Sequence, residues 1–162
     1  MSSENFSLFT DEKFLIAAFH GLGCVLAILP TLMGVGIGLV QGSGGICKAA
    51  DYSVDIIHAI IPMCFITAPA VFSLIMFFVN MTSNPENIRQ SLKLLLSGVI
   101  CGIGNCYAAH CIGTICRSAA VTKAQQKRFN GSFLVMMIFG EIIALFSLLC
   151  GIILKTNPPD KV

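Results

Sequence analysis

The sequence predicts an all-α membrane protein: four transmembrane helices arranged as two duplicated helical hairpins. Three observations carry this. The 162 residues are 56% hydrophobic and only 11% charged, with a mean hydropathy of +0.86, a balance foreign to a soluble domain. Four long apolar runs, 14–40, 56–79, 92–116 and 132–154, are separated by short polar segments. The two halves, 1–80 and 81–162, share an ordered series of short matches. No space is left for a soluble catalytic domain, and a net charge of +2 gives nucleic acid no purchase.

The opening segment MSSENFSLFTDEK is polar and slightly acidic. A secretory signal has a positive start and a shorter apolar core, so 14–40 reads as a retained first span. Its glycines, Gly34, Gly36 and Gly38 in the run MGVGIGLVQGSGG, suit close helix approach in a bilayer. The connection 41–55 follows. Its GSGGICKAA departs from the phosphate-binding loop, which needs Gly before Lys and Ser or Thr after it; here Cys47 and Ala49 flank Lys48, which excludes nucleotide binding on this motif. The second span, 56–79, has no glycine and is filled with Phe, Ile, Leu and Met.

The third span, 92–116, places Gly98, Gly102, Ala109 and Gly113 near one helix face. Cys101, Cys106, Cys111 and Cys116 recur every five residues. Five residues turn a helix by about 500°, so these thiols point in four directions and no metal site is expected. Small side chains in spans one and three against bulky ones in spans two and four suggest concentric layers, small residues inward.

The fourth span, 132–154, carries one carboxylate, Glu141, ten residues into the apolar run. An ionisable group there costs roughly 2.5–3.5 kcal/mol on insertion scales. Desolvation disfavours the charged form, which favours a carboxyl holding a proton. Two readings follow: a membrane acid that cycles its proton, or a carboxyl that hydrogen-bonds a neighbouring helix and serves packing. Candidate partners are Thr67, which the repeat sets at equivalent depth, and Tyr107, which antiparallel packing brings to a similar depth. Pro69 also leaves the Phe65 carbonyl without its amide donor, a further acceptor.

The repeat fixes these depths. Ile46-Cys47-Lys48 matches Ile115-Cys116-Arg117, and Phe72-Ser73-Leu74 matches Phe146-Ser147-Leu148. The offset grows from 69 to 74 residues between these pairs, and Glu141 falls opposite Thr67. One copy of a duplicated hairpin has kept the carboxylate.

The glycine run before GGICKAA, then IIPMCFITAPAVFSLIM, then QQKRFNGSFLVMMIFGEIIALFSLLCGIIL with its glutamate together resemble the four-span proteolipid, or c, subunit of V-type proton-pumping ATPases. The resemblance runs from about Phe19 to Leu154. It implies a rotor: copies of the chain and related proteolipids in a ring, Glu141 as the proton-binding residue, H⁺ as the transported ion. A stator subunit with an essential arginine, central-stalk subunits and the lipid bilayer are the implied partners. No cofactor is implied, and the chain is by itself no enzyme but the non-ATP-binding subunit of a rotary ATPase. Positive charge is tied at five residues on each side, so it sets no orientation. The resemblance implies loops 41–55 and 117–131 in the cytosol, termini in the lumen, and a vacuolar or other endomembrane location. The chain departs from the family at Phe146, where a tyrosine is common, and in the polarity of Asn105, Tyr107 and His110 in span three. The alternatives are a non-transporting four-helix scaffold and a sodium-coupled version of the same rotor.

Overall fold

The computed structural model describes residues 3–52, 56–125 and 130–156, with side chains over 11–52, 62–125 and 132–156. Four helices follow one another: α1 (Ser3–Ala50), α2 (Ile56–Met81), α3 (Ile88–Gln125) and α4 (Asn130–Thr156). Each holds a stretch long and apolar enough to cross a membrane, Asp11–Ala50, Pro62–Met81, Ile88–Gln125 and Ser132–Thr156. The protein is a multi-pass integral membrane protein, all-α over the described residues. The connection from α2 to α3 lies at the same end as the two termini; the other end carries the two hairpin turns.

Two of the expected connections are largely helical. Residues 41–50 extend α1 and residues 117–125 extend α3. At 1.5 Å per residue the 48 residues of α1 measure about 72 Å and the 38 of α3 about 57 Å, against about 30 Å of hydrocarbon. The glycine-rich QGSGG of α1 reads as a loop because glycine weakens an isolated helix by about 1 kcal/mol per residue. Packing overrides that propensity here. The α-carbon of Gly42 faces the Ile66 and Cys116 side chains, and that of Gly45 faces the backbone of Arg117.

The inner pair α1 and α3 shares the most extensive contact in the molecule. The helices run parallel in a constant register: Gly23 lies against Leu95, Gly34 against Cys106, Gly45 against Arg117. The approach is so close that a methyl group at Gly34 would strike the Cys106 carbonyl, one at Gly98 the Gly23 carbonyl, and one at Gly113 the Gly38 backbone. Pro30 leaves the Leu26 carbonyl without its helical amide, and that oxygen abuts Gly102. A Cα–H···O contact is the fitting use for such an orphan. Gly36 stands apart from this seam and faces open space, so only Gly34 and Gly38 of the three serve it.

The helix α2 touches α1, α3 and α4, and α4 touches α3 and α2; α1 and α4 do not meet among the described residues. The layering expected from composition is therefore present, with α1 and α3 as one tightly packed layer and α2 and α4 laid against it. The outward faces of α2 and α4 expose Val71, Leu74, Ile75 and Phe78, and Phe139, Ile143, Phe146 and Leu149. Such faces suit a solvent of lipid tails.

The glycine seam gives a paired test. Gly38→Ala puts a Cβ 2.6 Å from the Ala109 carbonyl oxygen and forces the seam apart, a destabilisation of about 1–3 kcal/mol. Gly36→Ala meets nothing and gains helix propensity. In detergent melting curves followed by fluorescent thiol labelling, Gly38→Ala lowers the midpoint by several degrees while Gly36→Ala leaves or raises it.

Candidate functional site

Glu141 lies on the margin of the packed face of α4. Met137, Gly140, Ala144 and Leu148 form the buried stripe on one side of it. Phe139, Ile142 and Ile143 form the exposed stripe on the other. The carboxyl is itself half-buried and makes no hydrogen bond among the described residues. The preceding Gly140 lets the α4 backbone close onto the Ile112 side chain of α3.

Depth and direction follow from the neighbours. Leu148 shares a buried cluster with Met76 of α2, and Phe72 packs against that cluster. Glu141 stands seven residues before Leu148, two turns on the same side of the helix. Phe65 stands seven residues before Phe72 in the same way. Phe65 also packs on the cluster that contains Ile66 of α2 and Met137 of α4. Lys155 Nζ donates to the Val79 carbonyl at 2.6 Å, which holds α2 and α4 parallel in this register. Glu141 thus faces the α2 side of α4 at the depth of the turn from Phe65 to Pro69.

Neither candidate side-chain partner is joined to it. Thr67 is at a matching depth, but its side chain is exposed and donates to the Cys64 carbonyl of its own helix at 2.7 Å. Tyr107 is 69% exposed and has no hydrogen bond to Glu141. At the same depth the titratable side chains on the helices packed against α4 are Cys64 of α2 and Tyr107, His110 and Cys111 of α3; none is bonded to the carboxyl. Pro69 is fully buried, so the carbonyl it orphans, that of Phe65, belongs to the packed side of α2. Cys101 and Cys116 are buried while Cys106 and Cys111 are partly exposed, the divergence that a five-residue spacing imposes.

A second set of polar groups lies inside the bundle, between the depth of Glu141 and the end with the termini. Thr31 of α1, Ser73 of α2 and Asn105 of α3 are fully buried. Asn105 Nδ2 donates to Ser73 Oγ at 2.8 Å, the Ser73 and Thr31 hydroxyls are 2.5 Å apart, and Thr31 donates to the Gly102 carbonyl at 3.1 Å. Ser147 of α4 donates to the Ile100 carbonyl at 2.9 Å and to that of Cys101 at 3.2 Å. One layer therefore ties all four helices. Nearer the end, Asn80 Nδ2 donates to the Leu94 carbonyl, Ser97 to Asn80 Oδ1, Ser91 to the Ile16 carbonyl. His20 and Lys155 cap the last carbonyls of α2, those of Asn80 and Val79, and the Lys155 ammonium suits the negative end of the helix dipole there. The buried clusters toward the hairpin turns contain only Ile46, Ala49, Ile66, Ile112, Cys116, Ala119, Ala120, Phe133 and Met137.

The exposed hydroxyls behave differently. Those of Ser43, Thr67, Thr82, Thr114, Ser118, Thr122 and Thr156 all close on carbonyls of their own helices. Thr31 and the pair Ser73 and Ser147 are not distinguishable from these by residue type. For the two serines the signal was present in the sequence: they occupy equivalent places in the repeated Phe-Ser-Leu.

Residues 95–154 match the family model for the C subunit of ATP synthase. Three curated relatives extend the similarity. A 16 kDa proteolipid subunit of the V-type proton ATPase of Caenorhabditis elegans is 24% identical over 160 residues, 94% of this chain and 99% of the relative. A V-type proton ATPase proteolipid subunit of Dictyostelium discoideum is 27% identical over 92% of this chain and 79% of its own length. A 16 kDa proteolipid subunit of the V-type proton ATPase of Rattus norvegicus is 24% identical over 87% of this chain and 94% of its own.

The Thr67 hydroxyl gives the test of this site's boundaries. Because it is spent on its own helix, Thr67→Val is expected to leave the reaction of Glu141 with a hydrophobic carbodiimide within about twofold of the parent protein. Mass-spectrometric quantification of the modified peptide checks this; a severalfold loss would return Thr67 to the site.

Proposed function

We propose that this chain, which is similar along nearly its whole length to proteolipid subunits of V-type proton ATPases, is a rotor subunit of a proton-pumping membrane sector, with Glu141 as the residue that binds and releases the transported proton. The observation that carries the reading is the position of Glu141: a carboxyl deep in a span, half-buried, bonded to no side chain, at the margin between the packed and the lipid-exposed faces of α4. A carboxyl sealed into the core would serve packing. One at the margin can be screened by apolar neighbours while neutral and still meet a partner that arrives from outside the bundle.

The mechanism follows from electrostatics. Neutral Glu141 needs an acceptor for its O–H, and the Phe65 carbonyl freed by Pro69 is the acceptor this chain supplies. In that state the residue crosses the lipid-facing arc of a ring without the penalty of a bare charge. At the stator, an arginine of a partner protein favours the carboxylate and the proton leaves. Copies of the chain, with or without related proteolipids, form the ring. The protruding hairpin ends of α1 and α3, with Lys48, Arg117 and Lys123, face the cytosol and the central stalk, and the termini face the lumen of a vacuole or another endomembrane compartment. Lys127 and Arg128, the rest of the basic cluster expected there, lie outside the described residues. The chain binds no ATP and holds no cofactor in this reading; hydrolysis elsewhere turns the ring.

The test joins labelling to substitution. In the native membrane complex, carbodiimide modification of Glu141 persists well above the model glutamate range of about 4.3, and Glu141→Gln abolishes proton transport while the ring still assembles. Protection of Glu141 by sodium would favour the sodium-coupled rotor. Transport that survives Glu141→Gln would favour the four-helix scaffold.

A further inference from the structure

The duplicated Phe-Ser-Leu motif has a use beyond packing. We infer that its two serines, Ser73 and Ser147, are positioning residues that set the depth and rotation of α2 and α4, and so hold the Phe65 carbonyl against Glu141. The inference rests on the proton-carrier reading of Glu141.

The two serines do equivalent work from equivalent places. Each sits on an outer helix and reaches across to the inner layer. Ser73 meets Thr31 of α1 at 2.5 Å and accepts from Asn105 of α3 at 2.8 Å. Ser147 donates to the Ile100 and Cys101 carbonyls of α3. Gly104 of α3 opens the space for this approach, since a methyl group there would overlap the Ser147 hydroxyl. Each serine is also next to a member of the cluster that joins the outer helices, Phe72 on α2 and Leu148 on α4. The anchors therefore fix the level at which α2 and α4 meet in that cluster, and two turns away the same register sets Phe65 and Glu141 at one depth.

Rotation is the decisive quantity. Six residues turn a helix by about 600°, so with Ser147 pinned to α3 the Glu141 side chain is directed about 120° away from that contact. That direction is the α2 side, which it shares with Leu148. On α2 Pro69 removes one rung of the ladder within a helix that runs from Ile56 to Met81. Ser73 stands one turn after Pro69 and ties that part of α2 to α1 and α3. Lipid gives helices no hydrophobic reason to keep one rotation, and the outer faces of α2 and α4 are largely apolar. Specific hydrogen bonds into the inner layer supply the reason. Serines that merely satisfied themselves would close on their own helices, as the exposed hydroxyls do.

The experiment reads the proton affinity of Glu141 in the assembled complex. Ser73→Ala and Ser147→Ala are compared with the parent and with Ser43→Ala, whose hydroxyl is exposed and bonds only the Val40 carbonyl. Ring assembly is scored on native gels and carbodiimide labelling of Glu141 is followed across pH. Loosening one hydrogen bond to the neutral carboxyl favours the charged form. The labelling midpoint therefore moves to lower pH by about one unit in Ser73→Ala and in Ser147→Ala, a tenfold change in proton affinity, with rings intact. Ser43→Ala keeps the parent midpoint, and Ser147→Thr, which retains the hydroxyl, restores it. Intact rings with an unmoved midpoint in both alanine variants overturn the inference and leave the proton-carrier reading standing. Rings lost in both alanine variants, with the remaining labelling unmoved, reduce the serines to a packing role and overturn it too. Failure of Glu141 to label in the parent protein overturns both.

Discussion

The backbone contact between α1 and α3 is the constraint on which the rest of the molecule depends. Two parallel helices approach until glycine α-carbons of one lie on carbonyls of the other, at Gly34, Gly38, Gly98, Gly102 and Gly113. In a bilayer this approach, with its dispersion contacts and the few hydrogen bonds it permits, replaces the hydrophobic effect as the source of association. It also makes the inner layer thin. The outer helices then have two grooves to fill, and they fill them with side chains such as Ile66, Met76, Phe133, Met137 and Leu148.

A thin, parallel inner pair dictates what the outer pair can do. Both outer helices run the same way, and their mutual contact is small, with α4 resting on α3 and α2 spanning all three others. A carboxyl on α4 can thus face α2 across a shallow margin instead of a sealed core. The same geometry leaves the outer helices weakly determined in rotation. Hydrogen bonds concentrate where that weakness has to be cured, in the half of the bundle between Glu141 and the chain termini. Interhelical hydrogen bonds in membranes are worth only about 0.6 kcal/mol each on average. Their value here lies in direction more than in energy, since apolar faces pack at many rotations and a serine on a carbonyl packs at one.

Much of the architecture was legible in the sequence. Hydropathy placed four spans, and the contrast between glycine-rich and bulky helices placed two layers. The third-span set Gly98, Gly102, Ala109 and Gly113 faces α1 as its spacing requires. The ends of α1 and α3 were not legible, because Gly42 and Gly45 look like loop residues until Cys116 and Arg117 are set beside them. Of the site, the depth of Glu141 opposite the Thr67 turn was readable from the repeat. The direction of the Thr67 hydroxyl was not, because a threonine at a given depth has every rotation open to it until its helix is packed. Thr31 gave no signal at all: it is an isolated hydroxyl in an apolar run, and only the fold shows that it faces Ser73.

The two halves share a plan and differ in one carboxylate. Each half supplies an inner helix, an outer helix and a serine that hydrogen-bonds into the inner layer. The carboxylate sets the copies apart within a single turn. On α4 that turn carries Glu141; on α2 the matching turn carries Thr67, turned outward, and ends at Pro69. A proline where the other copy keeps a regular helix frees one carbonyl at the depth of the acid; in the proton-carrier reading, that carbonyl is the acceptor the first hairpin offers to the carboxyl of the second. Placing an acid at Thr67 would not restore symmetry, because its side chain lies on the exposed face of α2 and Pro69 takes a rung from that helix. The two hairpins are no longer interchangeable, and the site is a property of the pair.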